Sequence, residues 1–205
     1  MQVYRTLARR ELGTFFYSWI GYIVIAGAVF LMGLEKNSDI VKMSSYAPLF
    51  FHVNDNAWPV NMIGFDNAKV FGRTSYYVNK MMSENRPDFM IDTRTDVTVG
   101  GSSKQLFCIT GYDKKNEEMV LKVVNVGSMA QKAFFRFKGV RLTGQPAEMT
   151  ELSHNDFQAE NSLYNPEVVV PKITTFTVSN SDFAKDFPPY SLTIIRVKIV
   201  KTIMK

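Results

Sequence analysis

The chain has 205 residues, 46% of them hydrophobic and 21% charged, a balance that supports a folded core and excludes a disordered polyelectrolyte. A single cysteine, Cys108, and two histidines, His52 and His154, exclude an internal disulfide and the usual zinc modules, and no cofactor or metal is expected. The formal charge of +5 is spread thinly along the chain instead of forming a basic patch, so no nucleic-acid partner is expected.

The first feature in chain order is an uncharged run, Thr14 to Leu34. As a helix it would extend roughly 31 Å at about 1.5 Å per residue, enough for a bilayer core. Arg5, Arg9 and Arg10 precede it and Glu35 and Lys36 follow, so the positive-inside bias puts the amino terminus in the cytoplasm and the rest outside it. Residues 14–34 are therefore expected to contact lipid as a transmembrane helix, with the carboxy-terminal part extracytoplasmic. A cleaved signal peptide ending near Ala26-Gly27-Ala28 and a buried soluble helix are the competing readings. Tyr4 to Leu7, Arg9 to Leu12, Phe15-Phe16 and Gly21 to Ile25 resemble the opening of an ABC-2 type transporter permease. No second uncharged run of comparable length follows, so transport by this chain is not expected.

Beyond Glu35 the pattern changes. Tyr46 to Val53 reads as a buried parallel strand that runs out into the polar cluster Asn54-Asp55-Asn56. After a loop with Pro59, Gly64 and Gly72, Ser75 is placed to cap a helix from Tyr76 to about Asn85, with Tyr77, Val78, Met81 and Met82 on one face. Strand, loop and amphipathic helix make one βα unit.

From Asp92 onward short strands alternate with turns. Candidates are Val97 to Val99, Gln105 to Tyr112, Met119 to Val126, Lys132 to Phe137, Ala147 to Leu152, Val168 to Val178 and Tyr190 to Val200. Alternation turns Ala133, Phe135 and Phe137 inward against Lys132, Arg136 and Lys138, and likewise Ile195, Val197 and Ile199 against Arg196 and Lys198. Val97 and Val99 flank Thr98 in the same manner. Gly100-Gly101-Ser102, Asp113 to Asn116 and Gly144-Gln145-Pro146 supply turns. The spacing is that of a β-sandwich.

Residues 37–50, notably Asn37-Ser38-Asp39-Ile40-Val41 and Ser45-Tyr46-Ala47-Pro48-Leu49-Phe50, together with Trp58, Ile63 to Asp66 and Gly72 to Val78, resemble the end of the catalytic barrel of α-L-arabinofuranosidases in glycoside hydrolase family fifty-one. Glu160 to Leu163, Asn165-Pro166, Val170-Pro171 and Phe187 to Thr193 resemble the last strands of that family's sandwich. The similarity runs from about Phe30 to Val200. With the uncharged run, it implies a mainly β chain: a carboxy-terminal antiparallel, jelly-roll-like β-sandwich (91–205), preceded by a remnant βα unit of a (β/α)8 barrel (35–90), while residues 1–34 are the basic amino terminus and the hydrophobic helix read from the run itself.

The resemblance also implies an arabinose-containing polysaccharide or oligosaccharide as partner, and retaining hydrolysis by two glutamates about 5 Å apart. Both lie in the family upstream of the matching region. No catalytic residue is therefore assigned here, and the chain is expected to be inactive alone. His52, Asn54, Asp55 and Trp58 are the substrate-contact candidates, because loops at the carboxy-terminal ends of barrel strands form the rim of the site. The plainer reading packs His52 in the strand, spends Asn54 to Asn56 on a turn and uses Trp58 as filler. Cys108 lies in an apolar strand and reads as core. The alternative to a truncated glycosidase is a membrane-tethered β-sandwich that binds carbohydrate or protein.

Overall fold

A computed structural model describes residues 20–55, 61–94, 105–140, 142, 144–178 and 182–200. The expected strand Val97 to Val99, the Gly100 to Ser102 turn and residues 14–19 of the uncharged run lie outside these.

Helix α1 covers Ile20–Lys36. Its Ala28 and Met32, one turn apart, are buried, and Val24, Ile25 and Leu31 extend the same stripe. That stripe packs on Val78, Met81 and Met82 of helix α2 (Thr74–Glu84) and on Val120, Val124, Leu192 and Ile194 of the main sheet. The expected lipid contact of 14–34 is corrected here. No helix among the described residues is long and apolar enough to cross a membrane, and the described part of the run packs on this same chain. Sequence apolarity on every side of the run hid the fact that one stripe is core of this same chain. The helix ends where the Asn37 side-chain amide donates to the Gly33 carbonyl at 2.7 Å.

Three short strands follow α1. β1 (Phe50–His52) runs parallel to β2 (Ile63–Phe65), and β2 pairs antiparallel with β3 (Val70–Gly72). The inner face holds Phe51 and Phe71, whose rings meet edge to face at 5.9 Å and close over Gly64. A Cβ at Gly64 would collide with both rings, so this position requires glycine. The outer face is uncovered: Phe50 is 59% exposed and Val70 is 68% exposed. The Tyr46 to Val53 strand is thus parallel as expected, but only three of its residues pair and only one face is buried.

Helix α2 starts two residues earlier than the spacing predicts. Arg73 occupies the N-cap without a side-chain capping bond, and Ser75 lies inside the first turn. Val78, Met81 and Met82 are buried as expected.

The remaining strands form two layers. β4 (Phe89–Ile91), β5 (Leu106–Asp113), β6 (Glu118–Asn125), β8 (Gln145–Leu152), β9 (Lys172–Val178) and β11 (Ser191–Lys198) make an antiparallel sheet in the order β4-β5-β6-β11-β8-β9. β7 (Gln131–Arg136) and β10 (Asp182–Phe187) pair as a separate antiparallel ribbon. The central strands β6 and β11 have helices on one side and the ribbon on the other, which is why both faces are apolar. Met119, Leu121, Val123, Ile195 and Val197 face the ribbon, where Phe135 stacks on Phe183 at 5.2 Å and meets Phe187 edge to face. The chain is mainly β with antiparallel sheets, and the inward phases expected for Ala133, Phe135, Phe137, Ile195, Val197 and Ile199 hold.

Two charge clusters sit on the helix-covered face. Lys122, 1% exposed, directs its Nζ to both carboxylate oxygens of Glu35, at 2.7 and 2.8 Å, and to the Met82 carbonyl at 3.1 Å. Three acceptors satisfy all three ammonium hydrogens. Arg196, expected to face solvent, instead lies between strands and α2, bonded to Glu118 at 2.7 Å, to Asp113 and to the Asn85 side chain. Replacing Glu35 by Gln leaves an ammonium buried without its counter-charge and is expected to cost about 3–5 kcal/mol. Urea unfolding checks this, and the double variant Glu35→Leu/Lys122→Met should recover most of the loss because no charge then remains to be desolvated.

Candidate functional site

The sequence-derived rim residues lie at the end of β1. His52 closes the strand, its ring set edge-on to Phe65 at 5.5 Å. The Asn54 amide donates to His52 Nδ1 at 3.3 Å and the Asp55 amide to the His52 carbonyl at 2.9 Å. His52, Asn54 and Asp55 therefore share one tight turn, with Asn54 and Asp55 exposed. Trp58 lies outside the described residues. The neighbouring turn is fixed by Asp66, whose carboxylate accepts the Ala68 and Lys69 amides at 2.8 and 2.7 Å. Those two bonds hold the Asp66 carboxyl below its ordinary value.

A second polar group, which the sequence did not single out, gathers around the start of α2. The Ser75 hydroxyl bonds the Tyr46 phenol, and the Arg73 guanidinium lies over the Phe51 ring at 4.4 Å from its centroid. Glu160, on the long loop between β8 and β9, faces Arg73. Burial pushes the Glu160 carboxyl up, and the nearby Arg73 charge only partly offsets this. The loop is pinned by Asn161, buried to 3%, which donates to the Gly72 and Val169 carbonyls, both at 2.9 Å, and accepts the Val169 amide at 2.7 Å. Gly72 to Ser75 and Glu160-Asn161 are distant in sequence, and only this loop brings them together. Cys108 lies in β5 among Leu106 and Tyr112, against the ribbon-side core, as the sequence suggests. Among the described residues no group of three or more His, Cys, Asp or Glu side chains is placed to hold a metal ion.

The family model described as the α-L-arabinofuranosidase C-terminal domain matches residues 23–191. The chain belongs to that family. It is 31% identical over 173 residues to α-L-arabinofuranosidase 1 of Arabidopsis thaliana, covering 82% of this chain and 25% of the relative. It is 32% identical to α-L-arabinofuranosidase A of Aspergillus kawachii, with 83% and 26% covered. An arabinose-bound GH51 α-L-arabinofuranosidase superposes with a TM-score of 0.76 at 28% identity, over 86% of this chain and 27% of that one. The thermostable GH51 enzyme from Thermotoga petrophila shares the fold, with a TM-score of 0.73 at 22% identity, over 85% of this chain and 38% of that one. The chain spans about a quarter of the length of the curated relatives it matches.

The match begins at residue 23, inside the run that resembled a permease opening, so most of α1 belongs to the arabinofuranosidase domain. The permease resemblance is corrected accordingly: its Ile23-Val24-Ile25 segment belongs to the helix that packs on α2 and the sheet.

The raised Glu160 carboxyl has a definite sign. A carboxyl whose folded pKa lies above its unfolded value of 4.5 supports the fold fully below that pH and loses this support as pH rises through the folded pKa. Glu160→Gln is therefore expected to raise the melting temperature at neutral pH and to leave it nearly unchanged well below pH 4.5, as thermal unfolding at two pH values will show.

Proposed function

We propose that this chain acts as the carboxy-terminal accessory region of an α-L-arabinofuranosidase-like glycoside hydrolase, whose substrates are terminal arabinofuranosyl groups of arabinose-containing glycans, and that it does not hydrolyse them alone. The observation that carries the reading is the family match across residues 23–191 in a chain that spans about a quarter of its curated relatives.

The carboxylates of the described residues support it. Retaining hydrolysis needs two carboxyl groups about 5 Å apart, one held protonated and one ionised. Glu35 is spent on Lys122, while Asp113 and Glu118 are spent on Arg196. Glu84 is exposed on α2 with Lys80 one turn before it. Glu160 has the raised affinity for a proton that an acid catalyst requires, but it stands beside Arg73 at the helix side of the three-stranded sheet.

In this proposal the turn at His52, Asn54 and Asp55, with Trp58, contributes hydrogen-bonding and stacking groups to the rim of a barrel whose other strands come from the remainder of such an enzyme. The uncovered outer face of β1 to β3, with Phe50 and Val70, is where that remainder packs.

Purified chain incubated with 4-nitrophenyl α-L-arabinofuranoside is expected to release no nitrophenol above the enzyme-free blank. Release that disappears when one of the chain's own glutamates is changed, Glu160→Gln first, would overturn the proposal. A readout of about tenfold over the blank is sufficient, since glycosidases exceed the uncatalysed rate by many orders of magnitude.

A further inference from the structure

A cavity of about 190 Å³ lies between α1, the segment before β1 and the first turn of α2. Its walls on the α1 side are apolar: Val24, Gly27, Phe30, Leu31 and Leu34, with Val78 opposite. Its other end is polar. Tyr46, Arg73, Ser75 and Glu160 converge there, with the Tyr46 and Ser75 side chains bonded to each other. The cavity stands apart from the turn at His52, Asn54 and Asp55, none of which lines it.

Two observations define what fits. The first is size, since a space of this order takes a molecule built around one six-membered ring; apolar cavities of about 150 Å³ hold benzene. The second is charge. Arg73 and Glu160 bring one cation and one anion to the same end, so no net field favours an ionic head, while burial penalises any charge brought in without a partner.

Gly27 explains why the space exists. It sits in the middle of α1, where glycine is a poor helix former, and a methyl group placed there would have no other atom within 4 Å. Any larger residue at this position would project into open volume.

We propose that this cavity is a binding site for a small uncharged amphiphile, an alcohol whose hydroxyl reaches the Tyr46, Ser75 and Glu160 end while its ring or short alkyl body lies along Val24, Gly27 and Leu31. The hydroxyl both donates and accepts, which matches a carboxylate acceptor and hydroxyl donors presented together. The proposal does not depend on the glycosidase reading, because no residue of that reading lines the cavity.

The test uses the full chain and three probes of one size, 2-phenylethanol, phenylacetate and phenethylammonium, with binding read by saturation-transfer NMR and isothermal titration at neutral pH. The alcohol is expected to bind in the millimolar range or tighter, and each ion at least about tenfold more weakly. Gly27→Leu fills the cavity without touching the polar end and improves helix propensity, so it should fold with an unchanged or higher melting temperature and lose alcohol binding by about tenfold or more. Ser75→Ala, which keeps the volume, should weaken the alcohol and leave toluene binding unchanged. Equal alcohol affinity in Gly27→Leu and the parent chain, tighter binding of either ion, or no alcohol signal from the folded parent would each overturn the proposal.

Discussion

The ammonium of Lys122 lies in the middle strand of the main sheet, under a helix, with one carboxylate and one carbonyl for company. Lysine is among the residues least often found in such a place, and burial here pulls its pKa below that of a free lysine despite Glu35 beside it. What makes the position tenable is completeness: every donor of the group has an acceptor, and the acceptors come from α1 and from the end of α2. The same contact therefore fixes both helices against the sheet. Hydrophobic burial at Ala28, Met32, Val78 and Met82 supplies most of the attraction between these layers, but it is nondirectional and permits sliding. The ion pair selects one register, in the way that buried polar groups specify geometry in other helical interfaces. Arg196 repeats the device nearer the turn between β5 and β6, joining Asp113 and Glu118 to the residue that ends α2.

Those two clusters also mark where sequence reasoning ran out. Alternation in β11 correctly turned Ile195 and Val197 inward, yet the same alternation placed Arg196 outside, because a period of two separates faces without saying what covers the second one. In α1 the error ran the other way. Residues apolar on all sides fit a bilayer and a protein interior equally well, and only Glu35, sixty degrees or so of helix rotation from its core neighbours, carried the information that a partner charge existed. Its partner is 87 residues away in β6, which no local pattern reveals.

The long strands were legible as runs of six residues or more bounded by turn residues, alternating in β7 and buried on both faces in β6. β2, β3 and β4 were not, since three residues are too few to establish a period. β10 was missed for a chemical reason: its inward row is Phe183, Lys185 and Phe187, and the lysine breaks the apolar pattern although its ammonium sits 4.2 Å from the Phe176 ring centroid. The turn at His52 was visible from its Asn and Asp content, whereas the Tyr46, Arg73, Ser75 and Glu160 group was not, because the β8 to β9 loop that closes it has no periodicity at all.

The three-stranded sheet carries a consequence for handling the molecule. One side of it is sealed by the Phe51 and Phe71 rings over Gly64, and the other presents Phe50 and Val70 directly to water. β1 is also an edge strand, with no strand paired on the side away from β2 among the described residues. A greasy flank beside open main-chain donors and acceptors is the template on which polypeptides stack into aggregates. Shelf life in concentrated solution will thus be governed by this small corner, however well the rest of the molecule is packed.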